Sequence, residues 1–331
     1  MVDHSAEPPL GVVLTGGLGT RLHPLTRELP KSMVPLLNRP LVGYALELLV
    51  DAGIEEAVVV VGGADERTAL AALAAAPPGL RLSTAVQPEP RGSGDAVLSA
   101  GAALDGRPVV VVAVDTVLAG GSLQPHVAAF AAGDEVARVV LHTTDRPSEM
   151  GIVELAPDGE RIAHFEEKPA EPRSNLALVA VWMLAPPAVE RLRSAPYVNA
   201  KGETDLSGTL AEMVGEGAYL AGSIWDGEWL DGGSLAGLLH AQERLLALHG
   251  VATPPGSARL VEVELGERVL LGEGSTVERS QLGPDVVVGA GAVVRDARLA
   301  RALVTPGAHL DGGSHKDVIV TPTGQVVAVE R

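Results

Sequence analysis

Several features that shape most proteins are missing or rare in this chain of 331 residues. It contains no cysteine, which excludes disulfide bonds and thiol chemistry. Aromatic residues make up only 2% of the sequence, so the core must be packed mainly from Leu, Val and Ala. No apolar run approaches the roughly 20 residues that a membrane-spanning helix needs, and the N-terminus lacks a basic and apolar leader. We therefore expect a cytoplasmic protein without a membrane partner.

Positive charge is also scarce. The chain carries 25 Lys and Arg against 42 Asp and Glu, a formal net charge of −17. Nucleic acids bind basic surfaces, so this balance argues against a nucleic-acid partner. Arginine supplies most of the cations, and the few lysines are expected where a compact ammonium group is needed. These lysines are Lys31, Lys168, Lys201 and Lys316.

The strongest local signal is a glycine-rich loop directly after a short apolar run. The run from Leu10 to Leu14 predicts a buried parallel strand. Glycines allow positive φ and a close approach to a ligand, and successive N–H groups in such a turn form a concave site for oxyanions. An arginine adds a planar fork for phosphate oxygens, and a lysine adds a point charge. The residues expected to bind a phosphorylated nucleotide here are Gly16, Gly17, Gly19, Thr20, Arg21 and Lys31.

Two common phosphate loops do not fit this segment. A Walker A loop requires a lysine directly after its last glycine, and no lysine precedes Lys31. A dinucleotide-binding loop requires a third glycine at the start of a helix, where this chain has Leu22. Pro24 follows, and proline is poorly tolerated beyond the first turn of a helix. No long helix is therefore expected to start at this loop.

The next segments alternate between helix and strand patterns. Helices are predicted at residues 40–51 and 65–76, and strands at residues 56–61 and 109–114. This alternation favours an α/β fold with a parallel sheet. Asp115 follows the strand at 109–114, and a carboxylate at a strand's C-terminal end faces the ligand crevice of such a sheet. A helix at residues 234–249 is expected to close the domain.

The C-terminal part of the chain follows a different pattern. Branched apolar residues recur there every five or six positions, which is typical of a parallel β-helix. The flat repeats of such a domain expose strand edges that favour pairing with another chain, so we expect a homo-oligomer. The recurring residues are Leu271, Val277, Leu282, Val288, Val294, Leu299, Val304 and Leu310. An acyltransferase that uses His309 or His315 is an alternative function for these repeats. The expected divisions are a disordered tail at 1–9, a catalytic domain at 10–250 and a left-handed β-helix at 251–331.

Gln87 is a candidate for reading a nucleotide base. Its carbonyl and amide groups complement the O4 and N3–H edge of uracil or thymine. Gly92 and Gly94 follow in a turn that lets the backbone approach a flat ring. A glutamine at such a position is also compatible with a simple surface role.

Four segments together resemble one enzyme family. The segment GGLGTRLHPLT…PKSMVPLLNRP at 16–40 resembles the signature of sugar-phosphate nucleotidylyltransferases. EEKP with SNLALV (166–179), KGETD (201–205) and WLDGGS (229–234) extend the resemblance, which is closest to long-form glucose-1-phosphate thymidylyltransferases. Val114, Ala180 and Trp182 depart from the family's usual Gly, Gly and Tyr. The resemblance implies a Rossmann-like mixed, mostly parallel sheet flanked by helices, followed by a short C-terminal left-handed parallel β-helix.

The resemblance also assigns roles to individual residues. It places Asp115 and Asp231 on a Mg²⁺ ion, which accepts oxygen ligands from carboxylates and substrate phosphates. It gives Gln87 and Gly92 to the base of the nucleotide, alongside the glycine-rich loop. The expected catalytic residues are Arg21, Lys31, Asp115, Lys168 and Asp231. The expected sugar-phosphate ligands are Gly151, Glu167, Lys168, Asn175, Trp182 and Lys201.

The reaction implied is the condensation of a nucleoside triphosphate with a sugar 1-phosphate, with release of pyrophosphate (EC 2.7.7 type). The favoured substrates are dTTP and glucose 1-phosphate. One alternative is a guanylyl- or uridylyltransferase acting on another sugar or cyclitol phosphate. A different class of function is that of a non-catalytic regulatory subunit that binds a nucleotide sugar.

Overall fold

A computed structural model describes residues 7–17, 19–63, 66–249 and 258–330 of the chain. Residues 1–6 of the expected tail, the expected helix start at Asp65 and the expected domain boundary at 250–251 lie outside these ranges. The described residues form seven α-helices, several single-turn 3₁₀ helices and a larger number of strands. The α-helices are α1 (Leu41–Asp51), α2 (Glu66–Ala74), α3 (Ser93–Leu98), α4 (Gln124–Ala132), α5 (Pro186–Ser194), α6 (Leu206–Gly215) and α7 (Leu235–His249).

The strands up to the last helix are mostly four to nine residues long. They are β1 (Leu10–Leu14), β2 (Pro35–Leu36), β3 (Arg39–Pro40), β4 (Glu56–Gly62), β5 (Arg81–Gln87), β6 (Val109–Ala113), β7 (Thr116–Ala119), β8 (Ala137–Thr143), β9 (Gly151–Leu155), β10 (Ile162–Glu167), β11 (Leu176–Leu184), β12 (Leu220–Ile224) and β13 (Glu228–Asp231). The predicted strands at 10–14, 56–61 and 109–114 and the predicted helices at 40–51 and 234–249 are confirmed to within a residue.

The strands after the last helix are mostly only two or three residues long. They are β14 (Arg259–Val261), β15 (Glu264–Leu265), β16 (Val269–Leu271), β17 (Thr276–Glu278), β18 (Gln281–Leu282), β19 (Val286–Val288), β20 (Val293–Arg295), β21 (Arg298–Val304), β22 (His309–Asp311), β23 (Ser314–Val320) and β24 (Val326–Ala328).

The chain divides into two compact units that do not follow the order of the sequence. The first unit comprises Met1–Gly17 and Val42–Trp229, and the second comprises Leu18–Leu41 and Leu230–Arg331. Residues 18–41, which include the second part of the glycine-rich loop, therefore belong with the C-terminal repeats. The domain boundary expected near residue 250 remains a prediction.

The first unit is built on a mixed nine-stranded sheet, which confirms the expected α/β class. Strands follow the order β10-β9-β11-β6-β1-β4-β5, and β8 pairs with β11 and β12. The β1, β4, β5 and β6 strands run parallel, whereas β11 is antiparallel to its neighbours. Strand β1 is buried on both faces, as its continuous apolar sequence requires. Gly11 provides room for Leu49 of α1, because a Cβ at Gly11 would lie 2.7 Å from Leu49 Cδ1.

The second unit contains stacked repeats of parallel strands. One ladder has the order β14-β17-β20-β22, and two further ladders join β15, β18 and β21 and β16, β19 and β21. Thr276 pairs with Val293 and Val293 with His309, so successive repeats lie 17 and 16 residues apart. All eight recurring apolar residues are buried in one core, as the periodicity predicts. The antiparallel strand β24 pairs with β23, which covers the last parallel strand.

Arginine and acidic side chains form ladders along these repeats. Arg279 and Asp296 occupy equivalent positions with positive φ in successive repeats, and both nitrogens of the guanidinium fork bond the carboxylate at 2.8 and 2.7 Å. Arg268 and Asp285 repeat the arrangement on another side of the stack. Such bidentate pairs offset part of the cost of the left-handed backbone at these corners.

Candidate functional site

The start of the glycine-rich loop, Gly16 and Gly17, and Asp115 lie at the same edge of the sheet in the first unit. Strands β1 and β6 are parallel neighbours, with Leu14 paired to Ala113. The N–H of Val114 donates to the carbonyl of Leu14 at 3.0 Å, so the two chain segments leave the sheet side by side. Gly16 and Asp115 follow directly. Carboxyl ends of parallel strands are where open α/β sheets bind ligands, as the sequence predicts.

Gln87 points its side chain at this edge in a fixed orientation. It is 4% exposed, and its Nε2 donates to Asp95 Oδ2 at 2.8 Å and to the carbonyl of Gly92 at 3.1 Å. Because both partners are acceptors, the amide nitrogen must face them. The opposite atom, Oε1, faces Gly16, since a Cβ built there would lie 3.3 Å from it. The side chain therefore presents an acceptor towards the phosphate loop.

The turn that contains Gly92 is held by the predicted sugar-phosphate segment. Gly92 has φ +103°, and a Cβ there would lie 2.3 Å from the carbonyl of Thr204. Thr204 is fixed on both sides, because its N–H donates to Arg91 at 2.7 Å and its carbonyl accepts from Gly94 at 2.9 Å. Lys201 lies three residues earlier in an exposed turn. The structure thus brings the expected base-binding and phosphate-binding segments together.

Gly151, Glu167 and Lys168 form a second group in the first unit. Gly151 of β9 pairs with Glu167 of β10, and a Cβ at Gly151 would lie 2.8 Å from Glu167 Oε2. Lys168 Nζ lies 3.5 Å from Glu167 Oε1, with both side chains about 60% exposed (63% and 59%). An exposed pair of this kind is held weakly, so both groups can turn towards a ligand. The backbone of Lys168 is fixed by its N–H, which donates to Met150 at 2.9 Å.

The two remaining predicted sugar ligands lie at different depths. Asn175 is exposed, and its carbonyl accepts a hydrogen bond from the N–H of Thr144 at 2.8 Å. Trp182 is only 5% exposed and packs within the apolar core beneath the sheet. Its indole Nε1 is buried and has no hydrogen-bond partner among the described residues. Contact between Trp182 and a sugar remains a prediction. In the structure, the Trp182 side chain is part of the hydrophobic core.

The backbone at position 180 has a conformation that favours glycine, although this chain has alanine there. Ala180 has φ +57°, at an irregularity in β11 where the pairing with β8 shifts between Leu178 and Trp182. The left-handed region costs a residue with a Cβ roughly 1–2 kcal/mol. Thr116 holds the strand there by donating its hydroxyl to the carbonyl of Val179 at 2.7 Å.

The second unit carries the rest of the phosphate loop. Gly19 has φ +57°, and a Cβ there would lie 2.9 Å from Thr26 Cγ2 and 3.4 Å from Lys31 Cβ. The hydroxyl of Thr26 donates to the carbonyl of Gly19 at 2.8 Å. Arg21 is exposed and Lys31 is half-buried. Three single turns of 3₁₀ helix follow the loop (Thr20–Leu22, Leu25–Arg27 and Lys31–Met33), which confirms that no long helix begins there.

Asp231 lies in the second unit just before α7. Its Oδ1 accepts the N–H of Gly233 at 2.8 Å. Gly237 packs against the same residue, because a Cβ there would lie 2.2 Å from the carbonyl of Asp231. The side chain is therefore oriented by its own turn.

The two predicted metal ligands, Asp115 in the first unit and Asp231 in the second, are each of a chemical type that suits magnesium. Within the four described ranges no group of three or more His, Cys, Asp or Glu side chains is arranged to hold a metal. Asp115 and Asp231 offer hard oxygen ligands of the kind that Mg²⁺ prefers, and Mg²⁺ is commonly bound by one or two carboxylates plus phosphates and water.

No helix among the described residues is long and apolar enough to cross a membrane.

A groove of about 620 Å³ lies elsewhere, on the C-terminal repeats. Its lining includes Arg279, Asp296 and Arg298. None of the predicted site residues takes part in it. Two of its charged residues, Arg279 and Asp296, are bonded to each other.

Comparison with known proteins gives the family. The model of the nucleotidyl transferase family matches residues 10–247. The chain belongs to the nucleotidyl transferase family. This confirms the membership that the four sequence segments predict, and sugar-1-phosphate nucleotidylyltransferases of the EC 2.7.7 type are its relatives.

Relatives of this nucleotidyl transferase span most of its length. The glucose-1-phosphate thymidylyltransferase of Streptomyces antibioticus is 32% identical over 287 residues, covering 86% of this chain and 79% of that protein. The low-salt glycan biosynthesis nucleotidyltransferase Agl11 of Haloferax volcanii is 27% identical over 358 residues, covering 96% and 97%. The solved structure of UDP-glucose pyrophosphorylase from Acinetobacter baumannii has a TM-score of 0.63 at 23% identity, covering 73% of this chain and 95% of that chain. The last likeness shows a shared fold.

Three residues that hold the candidate site in place are not among the predicted site residues. Asp95 fixes the orientation of Gln87, and Thr204 closes the Gly92 turn. Thr26 plays the same part for Gly19. Asp95 lies in the RGSGD segment beside the predicted turn, so an acidic residue eight positions after the glutamine is the signal that indicates it.

Proposed function

We propose that this nucleotidyl transferase condenses dTTP with glucose 1-phosphate to give dTDP-glucose and pyrophosphate. The observation that supports this most is the fixed orientation of Gln87, with Oε1 presented beside the phosphate loop. A thymidylyltransferase from Streptomyces antibioticus at 32% identity favours the same substrates. Sugar-1-phosphate chemistry itself follows from the family.

Selection of the nucleotide base depends on the one Gln87 side-chain atom that has no partner assigned above, the acceptor Oε1. Its amide hydrogens are used within the protein, so Oε1 accepts one hydrogen bond from the base, and N3–H of thymine or uracil provides that donor. Oxygen O4 then takes a backbone N–H from the glycine-rich turn. Uracil has the same edge, and the shared fold with a UDP-glucose pyrophosphorylase favours uridylyl transfer as the second candidate. Guanine presents a similar O6 and N1–H edge on a larger ring, which keeps a guanylyltransferase as an alternative.

The proposed reaction depends on cations and does not require a general base. A sugar 1-phosphate is already ionised at pH 7, and its oxygen attacks the α-phosphorus in line as pyrophosphate departs. Like charges about 4 Å apart repel by about 4 kcal/mol at an effective dielectric of 20. Arg21 and the amides of Gly16, Gly17 and Gly19 bind the triphosphate, with Thr20 beside them and Lys31 on the α-phosphate. Positioning and charge neutralisation then supply the catalysis.

The other substrate is held by the first unit. Lys168 and Lys201 bind the attacking phosphate, and Glu167 and Asn175 accept or donate to sugar hydroxyls. Gly151 leaves room for the Glu167 carboxylate. Ala180 and Trp182 replace the Gly and Tyr of glucose-specific relatives, and another sugar or a cyclitol phosphate is therefore the alternative acceptor.

Asp115 and Asp231 would hold the Mg²⁺ ion. When bound, the ion neutralises charge on the triphosphate and on the leaving pyrophosphate. The carboxylates supply hard oxygens and the substrate completes the coordination.

The C-terminal repeats form a left-handed parallel β-helix in this proposal. The 16- and 17-residue offsets between paired strands support it. We also propose that the repeats assemble the chain into a homo-oligomer and that the protein acts in the cytoplasm.

The test is a matrix of nucleoside triphosphates against sugar 1-phosphates, with Mg²⁺, scored for pyrophosphate. The strongest signal is expected for dTTP with glucose 1-phosphate, and Arg21→Ala and Lys168→Ala should each reduce it by orders of magnitude. Pyrophosphate in no combination, with nucleotide sugar bound, would instead identify a non-catalytic regulatory subunit.

A further inference from the structure

The segment that carries Arg21 and Lys31 is packed with the C-terminal third of the chain. Leu18–Leu41 and Leu230–Arg331 form one compact unit. The phosphate-binding cations are therefore held by residues some 200 to 300 positions away in sequence. This arrangement raises the question of which contacts fix the segment.

One contact joins the segment to the C-terminal hairpin. Thr323, at the turn between β23 and β24, donates its hydroxyl to Glu28 Oε1 at 3.0 Å. The turn is itself rigid. The N–H of Thr321 donates to Gln325 at 2.9 Å, and the N–H of Gly324 donates to Thr321 at 2.8 Å.

A second contact joins the segment to the body of the repeats. Asn38 lies in the tight turn between β2 and β3 with φ +63°, a conformation that asparagine tolerates better than most residues. Its Nδ2 donates to the carbonyl of Val288 in β19 at 3.2 Å. Helix α7 reinforces the link, because Gln242 Nε2 donates to the carbonyls of Asp285 and Ala302 at 3.1 and 2.9 Å.

Glu28 is linked to the phosphate loop through a short chain of bonds. Its N–H donates to Leu25 at 3.1 Å and closes the turn that contains Thr26. Thr26 donates its hydroxyl to Gly19 at 2.8 Å. Gly19 lies against Lys31, because a Cβ at the glycine would be 3.4 Å from Lys31 Cβ. The turn that Glu28 closes is therefore bonded to Gly19, and Gly19 lies next to Lys31.

We propose that the C-terminal hairpin positions the triphosphate-binding segment, with Thr323 and Glu28 as positioning residues for the nucleoside triphosphate. The proposal rests on the proposed function, in which this segment binds the triphosphate. It gives the last strands of the chain a role in substrate binding, besides covering the edge of the repeats.

The test compares Thr323→Val, which removes the donor and keeps the shape, with Thr323→Ser, which keeps the hydroxyl. Thr276→Val is the matched control, since Thr276 lies on β17 of the same unit. In steady-state kinetics, Thr323→Val should raise KM for the triphosphate about threefold to tenfold, as loss of one hydrogen bond allows. KM for the sugar 1-phosphate should stay at the wild-type value. Thr323→Ser and Thr276→Val should behave like the wild type in both.

Hydrogen–deuterium exchange of the ligand-free protein separates this proposal from the proposed function. Amides of residues 20–33 should exchange faster in Thr323→Val than in the wild type, and Thr276→Val should leave them unchanged. Unchanged exchange in Thr323→Val, or an equal rise of KM for both substrates, would overturn the positioning role. Faster exchange in a protein that turns over no triphosphate would keep the positioning contact and refute the proposed function instead.

Discussion

The fixed orientation of Gln87 predicts that nucleotide binding becomes dependent on pH when this residue is replaced by glutamate. Gln87→Glu keeps the size of the side chain and replaces the donor Nε2 by an oxygen. That atom lies 2.8 Å from Asp95 Oδ2 and 3.1 Å from the carbonyl of Gly92. Two carboxylates then face each other in a site that is almost closed to water, since Gln87 is 4% exposed.

The size of the effect follows from two competing costs. Two charges about 4 Å apart repel by about 4 kcal/mol at an effective dielectric of 20. Protonating a glutamate with an ordinary pKa of about 4.3 costs about 1.4 kcal/mol per pH unit above that value. The two costs are equal near pH 7, so the like charge of Asp95 should raise the pKa of the new carboxyl well above its usual range. The variant should therefore bind dTTP while the new carboxyl is protonated and lose affinity as pH rises above about 7. Its folding stability should be complete only below about pH 4.3 and should fall between that pH and about pH 7, because holding the proton in the folded state costs increasing free energy.

The assay is KM for dTTP between pH 5.5 and 8.5, with thermal unfolding measured on the same samples. Gln87→Glu should approach the wild type at the acid end and lose affinity by roughly thirtyfold at pH 8.5, because each pH unit above about 7 costs about 1.4 kcal/mol, or a factor of ten. The double variant Gln87→Glu with Asp95→Asn removes the like charge and restores a donor, so its inflection near pH 7 should disappear. An unchanged KM for Gln87→Glu at pH 8.5 would refute the orientation of Gln87 described above.

Three other substitutions test separate parts of the account. Asp231→Asn should lower turnover by orders of magnitude while far-UV circular dichroism stays unchanged, and near wild-type rates would remove Asp231 from the metal site. Ala180→Gly should stabilise the protein by about 1 kcal/mol in urea unfolding, because φ +57° suits glycine, whereas the control Ala177→Gly, in the same strand, should destabilise it. The guanidinium of Arg279 holds the pKa of Asp296 below its usual range, so this pair stabilises the repeats above about pH 4 and the stabilisation is lost as pH falls below that. Asp296→Asn should therefore flatten the acid side of a plot of urea midpoint against pH, and a slope equal to that of the wild type would contradict the pairing.

Many secondary-structure elements could be predicted from local sequence patterns. The apolar run at Leu10–Leu14 and the five- or six-residue spacing from Leu271 to Leu310 both depend on burial within a few residues, and the structure buries all of these side chains. The 3₁₀ turns after the glycine-rich loop follow from Pro24, a constraint that acts on its immediate neighbours.

Contacts between distant residues could not be predicted in this way. Nothing around residue 28 indicates a partner at Thr323, because the two residues lie 295 positions apart in the sequence. Trp182 is similar, because its place in a family motif suggests a ligand contact while its strand position buries it in the core. The arginine and acid ladders do have a sequence signal, a 17-residue spacing from Arg279 to Asp296, which becomes meaningful only once the repeat length is known.

The central claim is that two phosphorylated substrates are joined and pyrophosphate is released. Phosphorus NMR of the protein with dTTP, glucose 1-phosphate and Mg²⁺ tests this most directly. The account predicts equal amounts of pyrophosphate and dTDP-glucose, and a return of both substrates when excess pyrophosphate is added. Formation of dTMP and pyrophosphate without a nucleotide sugar, or an unchanged spectrum with every sugar 1-phosphate, would contradict it.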